Sequence, residues 1–189
     1  MKPEGPKRAQ IVLVMVLMAL LVLACGPAEV GAGYPTPPGG SVPVSAEAAT
    51  LMEEELDKEI LQNPGQEFRL RVTNEMATSY LALKMPELPL DRPQVWFSQG
   101  KVFTKGTFTA LCLVRPQLFA VIIPHMVEGQ FQIEIEKVYL GPLSLPNTLL
   151  NFFSRSITET MAEAQIRLSF DSIDVLEGEL IVSGTKVGG

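Results

Sequence analysis

His125 is the only histidine in this 189-residue chain, so histidine-based acid–base chemistry would have to run through it. It follows Pro124, and no Gly-x-Ser-x-Gly elbow supplies a nucleophile for it to activate. One histidine and two cysteines, Cys25 and Cys112, fall short of the usual ligand set of a transition-metal site. Glu53, Glu54 and Glu55 are adjacent carboxylates. Successive helical residues point about 100° apart, so the three cannot converge on one cation and read as a solvated face. No glycine-rich phosphate loop and no dinucleotide fingerprint is present. These residues predict a non-enzymatic protein with no catalytic residues, no metal site and no cofactor.

Cys25 is the exception, because its surroundings suit covalent modification. Met1 to Gln10 carries Lys2, Lys7 and Arg8 against Glu4. Ile11 to Ala24 then runs apolar without a break for 14 residues. That suits a signal-peptide core, whereas a membrane span needs roughly 20 residues. Val22-Leu23-Ala24-Cys25-Gly26 resembles the bacterial lipobox, whose cysteine is diacylated and becomes the new N-terminus. Leu23 departs from the small residue usual at its position. The competing readings are an uncleaved N-terminal anchor and an ordinary signal cut near Ala24. The lipobox reading gives residues 1–24 as a lipoprotein signal, with the rest held at the outer face of the cell membrane. Two acyl chains make a stable anchor where one is marginal.

The whole chain has 15 basic against 21 acidic side chains, and cleavage would remove three bases and one acid, leaving a net charge of about −8. An acidic chain of this kind is not a nucleic-acid binder, since that affinity comes from Lys and Arg on phosphates. With Cys25 acylated, Cys112 has no disulfide partner within the chain. Its alternating apolar run makes it a small buried hydrophobe.

The elements that would position these residues can be read from patterning. Gly26 to Val44 is rich in Gly and Pro and has no periodicity, so residues 25–44 read as a linker open to proteases. Residues 45–189 read as one domain. Ser45 suits a helix N-cap, and Ala49, Met52, Leu56 and Ile60 recur at helical spacing. Phe68, Leu70 and Val72 alternate with Arg69 and Arg71, as in a half-buried strand. Thr73 suits the cap of a second helix, Asn74 to Lys84. From Gln94 to Val138 the pattern is β, with Phe131, Ile133 and Ile135 opposing Gln132, Glu134 and Glu136. Asn147 to Ala164 reads as the longest helix, and two strands, Gln165 to Val175 and Glu179 to Ser183, close the chain.

Leu118 to Val127 is apolar on both faces. One face can meet the long helix; the other needs a second layer, a partner or a bound apolar ligand. The candidate ligand seam joins Phe108, Ile122, Phe131 and Ile133 of the strands to Leu149, Phe152, Phe153 and Ile157 of the long helix.

Several short stretches also carry a family resemblance. Val72-Thr73-Asn74-Glu75, Tyr80-Leu81-Ala82-Leu83, Val95-Trp96-Phe97, Val138-Tyr139-Leu140-Gly141 and Leu176-Glu177-Gly178-Glu179-Leu180 follow one another in an order that resembles the YpmS family of bacterial envelope proteins. More distantly, the chain resembles the tubular lipid-binding (TULIP) domains. The resemblance implies a long helix cradled by a curved sheet, with a seam able to take an acyl chain. The resulting expectation is α+β: a curved antiparallel β-sheet packed around a long α-helix, with N-terminal helices. The function expected is a lipid- or hydrophobe-binding lipoprotein. The alternative is an adaptor lipoprotein that docks another envelope protein.

Overall fold

The computed structural model describes residues 36–61, 67–109, 115–127, 130–148, 150–151, 154–155 and 168–186. The chain divides into two compact units, Met1–Tyr34 and Pro35–Gly189, and every described residue belongs to the second.

Helix α1 spans Ala46–Leu56. Its N-cap Ser45 is extended, and the Ser45 hydroxyl accepts from the Ala48 N–H at 3.1 Å, satisfying a donor that the helix leaves free. A π-helical turn, Asp57–Leu61, continues it and keeps Ile60 on the inner face with Met52 and Leu56. Helix α2 spans Asn74–Lys84, the range its periodicity predicts, with Thr73 capping the Met76 N–H.

Two antiparallel sheets carry the rest. The smaller has the order β1 (Glu67–Thr73), β8 (Glu179–Lys186), β7 (Leu168–Leu176). The larger is a meander: β2 (Leu90–Ser98), β3 (Lys101–Phe108), β4 (Gln117–Val127), β5 (Gln130–Leu140) and the two-residue β6 (Leu143–Ser144). In β1 the period of two is strict: Phe68, Leu70 and Val72 are buried, and Glu67, Arg69 and Arg71 are exposed. In β7 the register shifts between Phe170 and Ser172. This bulge at Asp171 lets Leu168 and Phe170, then Ile173 and Val175, all reach the core despite their change of parity.

The expected α+β architecture, one curved sheet around a long helix, is corrected by this topology. The protein is strand-rich with two sheets, and no long α-helix occurs among the described residues. Residues 147–148, 150–151 and 154–155 are helical; the remainder of the expected Asn147–Ala164 helix lies outside the described residues. The physical reason is non-local. β1 pairs with β8 across more than 100 residues, from Phe68↔Gly184 to Thr73↔Glu179. The N-terminal strand thus completes a second sheet with the last two strands.

The outer edge of β2 is closed by side chains. The Thr78 hydroxyl accepts from the Val95 N–H at 2.9 Å and donates to the Val95 carbonyl at 3.4 Å. Asn74 Oδ1 accepts from the Phe97 N–H at 2.8 Å. Helix α2 therefore takes the place of a sixth strand and covers an otherwise open edge.

Residues 36–44 bear on the linker reading. Val42 is buried, and the Gln94 amide holds both its backbone groups, accepting from the N–H at 2.7 Å and donating to the carbonyl at 3.0 Å. The Trp96 indole N–H donates to the Gly40 carbonyl at 2.8 Å. This half of the Gly/Pro-rich stretch is a strap laid on β2. Partners 52 or more residues away supply what local composition cannot. Residues 25–35, including Cys25, lie outside the described residues.

Candidate functional site

The inner faces of the two sheets do not meet completely. Between them is a cavity of about 530 Å³, closed on a third side by α1 and α2. Phe68, Leu70 and Val72 of β1 and Leu180 and Val182 of β8 form one wall. Val95 and Phe97 of β2, Val102 and Thr104 of β3, and Ile122 and Pro124 of β4 form the facing wall. Pairing accounts for this: Val95↔Thr104, Phe97↔Val102 and Val102↔Ile122 are cross-strand partners, so their side chains share one face of the sheet. Met52, Leu56 and Ile60 reach in from α1 and its π turn, and Ala77, Tyr80 and Leu81 from α2.

Rings link the two sheets. Phe68 and Phe170 meet edge to face with centroids 5.9 Å apart, and Phe170 meets Phe131 at 5.7 Å. Gly184 makes the first contact possible. It lies between Phe68 and Phe170 on the neighbouring strands, and an added Cβ would sit 2.8 Å from the Phe68 ring.

Among the described lining residues no side chain is charged, and only Tyr80 and Thr104 carry a polar group. The ion pairs among the described residues lie on outer surfaces instead. Lys84 Nζ meets Glu53 Oε2 at 2.6 Å across α2 and α1, and that hydrogen bond raises the Lys84 pKa. The Arg69 N–H donates to the Glu59 carboxylate, and this hydrogen bond, helped by Lys58, lowers the Glu59 pKa.

No protein family, no curated protein and no solved structure matches this chain. The site is therefore read from its geometry.

Three of the eight seam residues line the cavity: Ile122, Phe131 and Ile133. Phe108 pairs with Leu90 at the far end of β3 and is not on the wall. Leu149, Phe152, Phe153 and Ile157 lie outside the described residues, as does the lipidation candidate Cys25. Sequence reasoning missed Phe170 and the inner face of β1 as wall residues. The alternation of β1 signalled a buried face, but nothing local said what it faces.

A larger concavity of about 1050 Å³ lies between the strap and β2–β3. Its lining mixes prolines and glycine backbone with Asp91, Arg92, Gln94 and Lys105. Among the described residues no three His, Cys, Asp or Glu side chains gather in a metal-binding group. His125 Nδ1 lies 3.2 Å from the Ile123 carbonyl of its own strand.

Proposed function

We propose that this protein binds the apolar part of a lipid or similar hydrophobic molecule in the cavity between the sheets. It does so without chemistry, at the outer face of the membrane, anchored through acylated Cys25. The observation that carries this reading is the cavity wall. A space of about 530 Å³ whose described lining residues include no charged side chain suits an apolar molecule better than a soluble ionic metabolite, and it falls in the range of roughly 300–1,000 Å³ typical of small-molecule sites. A dry cavity of about 150 Å³ holds benzene, so by proportion this one holds about twenty carbon atoms.

The energetics fit reversible carriage. Each methylene taken from water contributes about 0.8 kcal/mol, so sixteen contribute roughly 13 kcal/mol. That is comparable with the roughly 4–15 kcal/mol cost of association. From a bilayer the same chain gains nothing by hydrophobicity, because lipid tails are already as apolar as leucine. Selectivity must then come from shape.

The test is solvent extraction of the full chain purified from its own membrane, with mass spectrometry of the released lipid. Ala77 lines the cavity from α2, and Ala77→Trp should fill part of it. Wild-type protein should carry about one equivalent of a hydrophobe that Ala77→Trp loses, while lipid merely surrounding the anchor is the same in both. Identical extracts would remove the binding reading and favour a docking protein.

Anchoring has its own test. Cys25→Ser should leave an unacylated precursor about 24 residues longer than the mature form. A variant processed to the same length and still held at the membrane in the same form would sink the lipidation claim.

A further inference from the structure

We infer that the cavity has a polar end, where the hydroxyls of Thr104 and Tyr80 hydrogen-bond the one uncharged polar group of a long-chain ligand. The ligand class is then a neutral amphiphile, such as a long-chain alcohol, and neither a fatty acid nor a pure hydrocarbon. This rests on the cavity being a hydrophobe site.

The placement of the two hydroxyls follows from how α2 lies on β2. The helix runs antiparallel to the strand it covers. The side chain of Asn74, its first residue, accepts from the Phe97 N–H, and that of Thr78, one turn later, accepts from the Val95 N–H. Tyr80 comes after Thr78 on the helix, so it lies toward Val95 and away from Phe97. Thr104 is at the same end, because it is the cross-strand partner of Val95, whereas Val102 is the partner of Phe97. The opposite end of the wall is formed by Val72, Phe97, Val102 and Leu180. It lies beside the Gly178 turn, where Gly178 donates to the Phe97 carbonyl at 2.9 Å and accepts from the Asn74 N–H at 3.0 Å. These four side chains carry no polar atom.

Nearby hydroxyls are used within the fold. Thr73, Thr78 and Ser79 each accept from a backbone N–H. The hydroxyls of Thr104 and Tyr80 have no hydrogen-bond partner among the described residues, and both residues are half-buried.

A hydroxyl set among apolar side chains without a partner costs stability. Each can donate one hydrogen bond and accept others, so a ligand hydroxyl or ester carbonyl would satisfy it. A carboxylate would bring a charge whose desolvation two neutral hydroxyls do not offset. A hydrocarbon would leave both hydroxyls dry, which is how a site built to bond a hydroxyl rejects the analogue that lacks one. Shape admits the chain, and this end selects its head.

The test uses the full chain held in amphipol. It is incubated with phosphatidylcholine vesicles carrying equal amounts of hexadecanol, hexadecane and palmitate, and the vesicles are then removed by flotation. Bound probe is extracted and measured by gas chromatography, with protein-free amphipol subtracted. Wild-type protein should take up hexadecanol in about fivefold excess over each of the others, the effect of one neutral hydrogen bond. Thr104→Val keeps the shape and removes the hydroxyl, so it should lower the hexadecanol-to-hexadecane ratio by about fivefold. Tyr80→Phe should lower it by a similar factor, and Thr104→Ser should restore most of it. Because the Thr104 hydroxyl bonds nothing within the fold, Thr104→Val should melt no lower than wild type. A clear loss of melting temperature in that variant would assign the hydroxyl to the fold and overturn the inference. Uptake in proportion to supply, a preference for palmitate, or unchanged ratios in both hydroxyl-free variants would also overturn it, while the binding site stands. If wild-type protein takes up none of the three probes, the binding site falls and its polar end falls with it.

Discussion

Gly184→Ala should lower the melting temperature by about 6–12 °C, corresponding to about 3 kcal/mol in a domain of this size. Gly184 sits in β8 with Phe68 on one neighbour and Phe170 on the other. The two rings meet edge to face across it. An added Cβ would collide with the Ser169 carbonyl oxygen of β7 and lie 2.8 Å from the Cε1 and Cζ atoms of Phe68. A flexible side-chain tip could move aside. A carbonyl in a paired strand and a ring in the core cannot, so the cost is overpacking with no cheap relaxation. Gly40 supplies the control. A Cβ there meets nothing within 4 Å, and Gly40→Ala should melt within about 2 °C of wild type. Equal melting of the two variants would mean that the rings do not close over Gly184. The same substitution bears on the cavity, because Phe170 also holds Phe131. A melting loss should therefore accompany a loss of bound hydrophobe.

How much of this was legible in the sequence depends on the range of each interaction. Both helix caps could be read locally, since Ser45 and Thr73 act on N–H groups three residues ahead. The β1 alternation and the meander from β2 to β5 could also be read, because short connections force neighbouring strands to pair antiparallel. The second sheet could not. It needs β1 beside β8, and no local rule distinguishes that pairing from β1 remaining with its sequence neighbours. The same blindness hid the strap. Pro37 to Val44 has the composition of a linker, and it becomes ordered only because Gln94 and Trp96 lie where they can bond Val42 and Gly40. At the site, local alternation places Ile122 of β4 on one face and Phe131 and Ile133 of β5 on one face. All three line the cavity. Phe170 was not among the expected seam residues, because the alternation of Leu168 and Phe170 with Ser169 and Asp171 marks an apolar face without saying which sheet that face meets.

Thr78→Val should destabilise the protein by about 2–6 kcal/mol, more than Thr78→Ser, although valine is the more hydrophobic replacement and the site is fully buried. The ordering follows from what the hydroxyl does. It accepts from the Val95 N–H and donates to the Val95 carbonyl, standing in for the strand that β2 lacks on this edge. Valine matches threonine in shape, so no cavity forms, but both backbone groups lose their partner where water does not reach. Each unsatisfied group costs about 1–3 kcal/mol. Serine keeps the hydroxyl and loses one methyl, which costs about 1 kcal/mol. Urea unfolding of the two variants measures the order. Val95 also lines the cavity, so freeing its backbone should loosen that wall as well. The valine variant should release bound hydrophobe faster than its stability loss alone implies, and the serine variant should not. If valine proves as stable as serine, the edge of β2 is held by something other than Thr78.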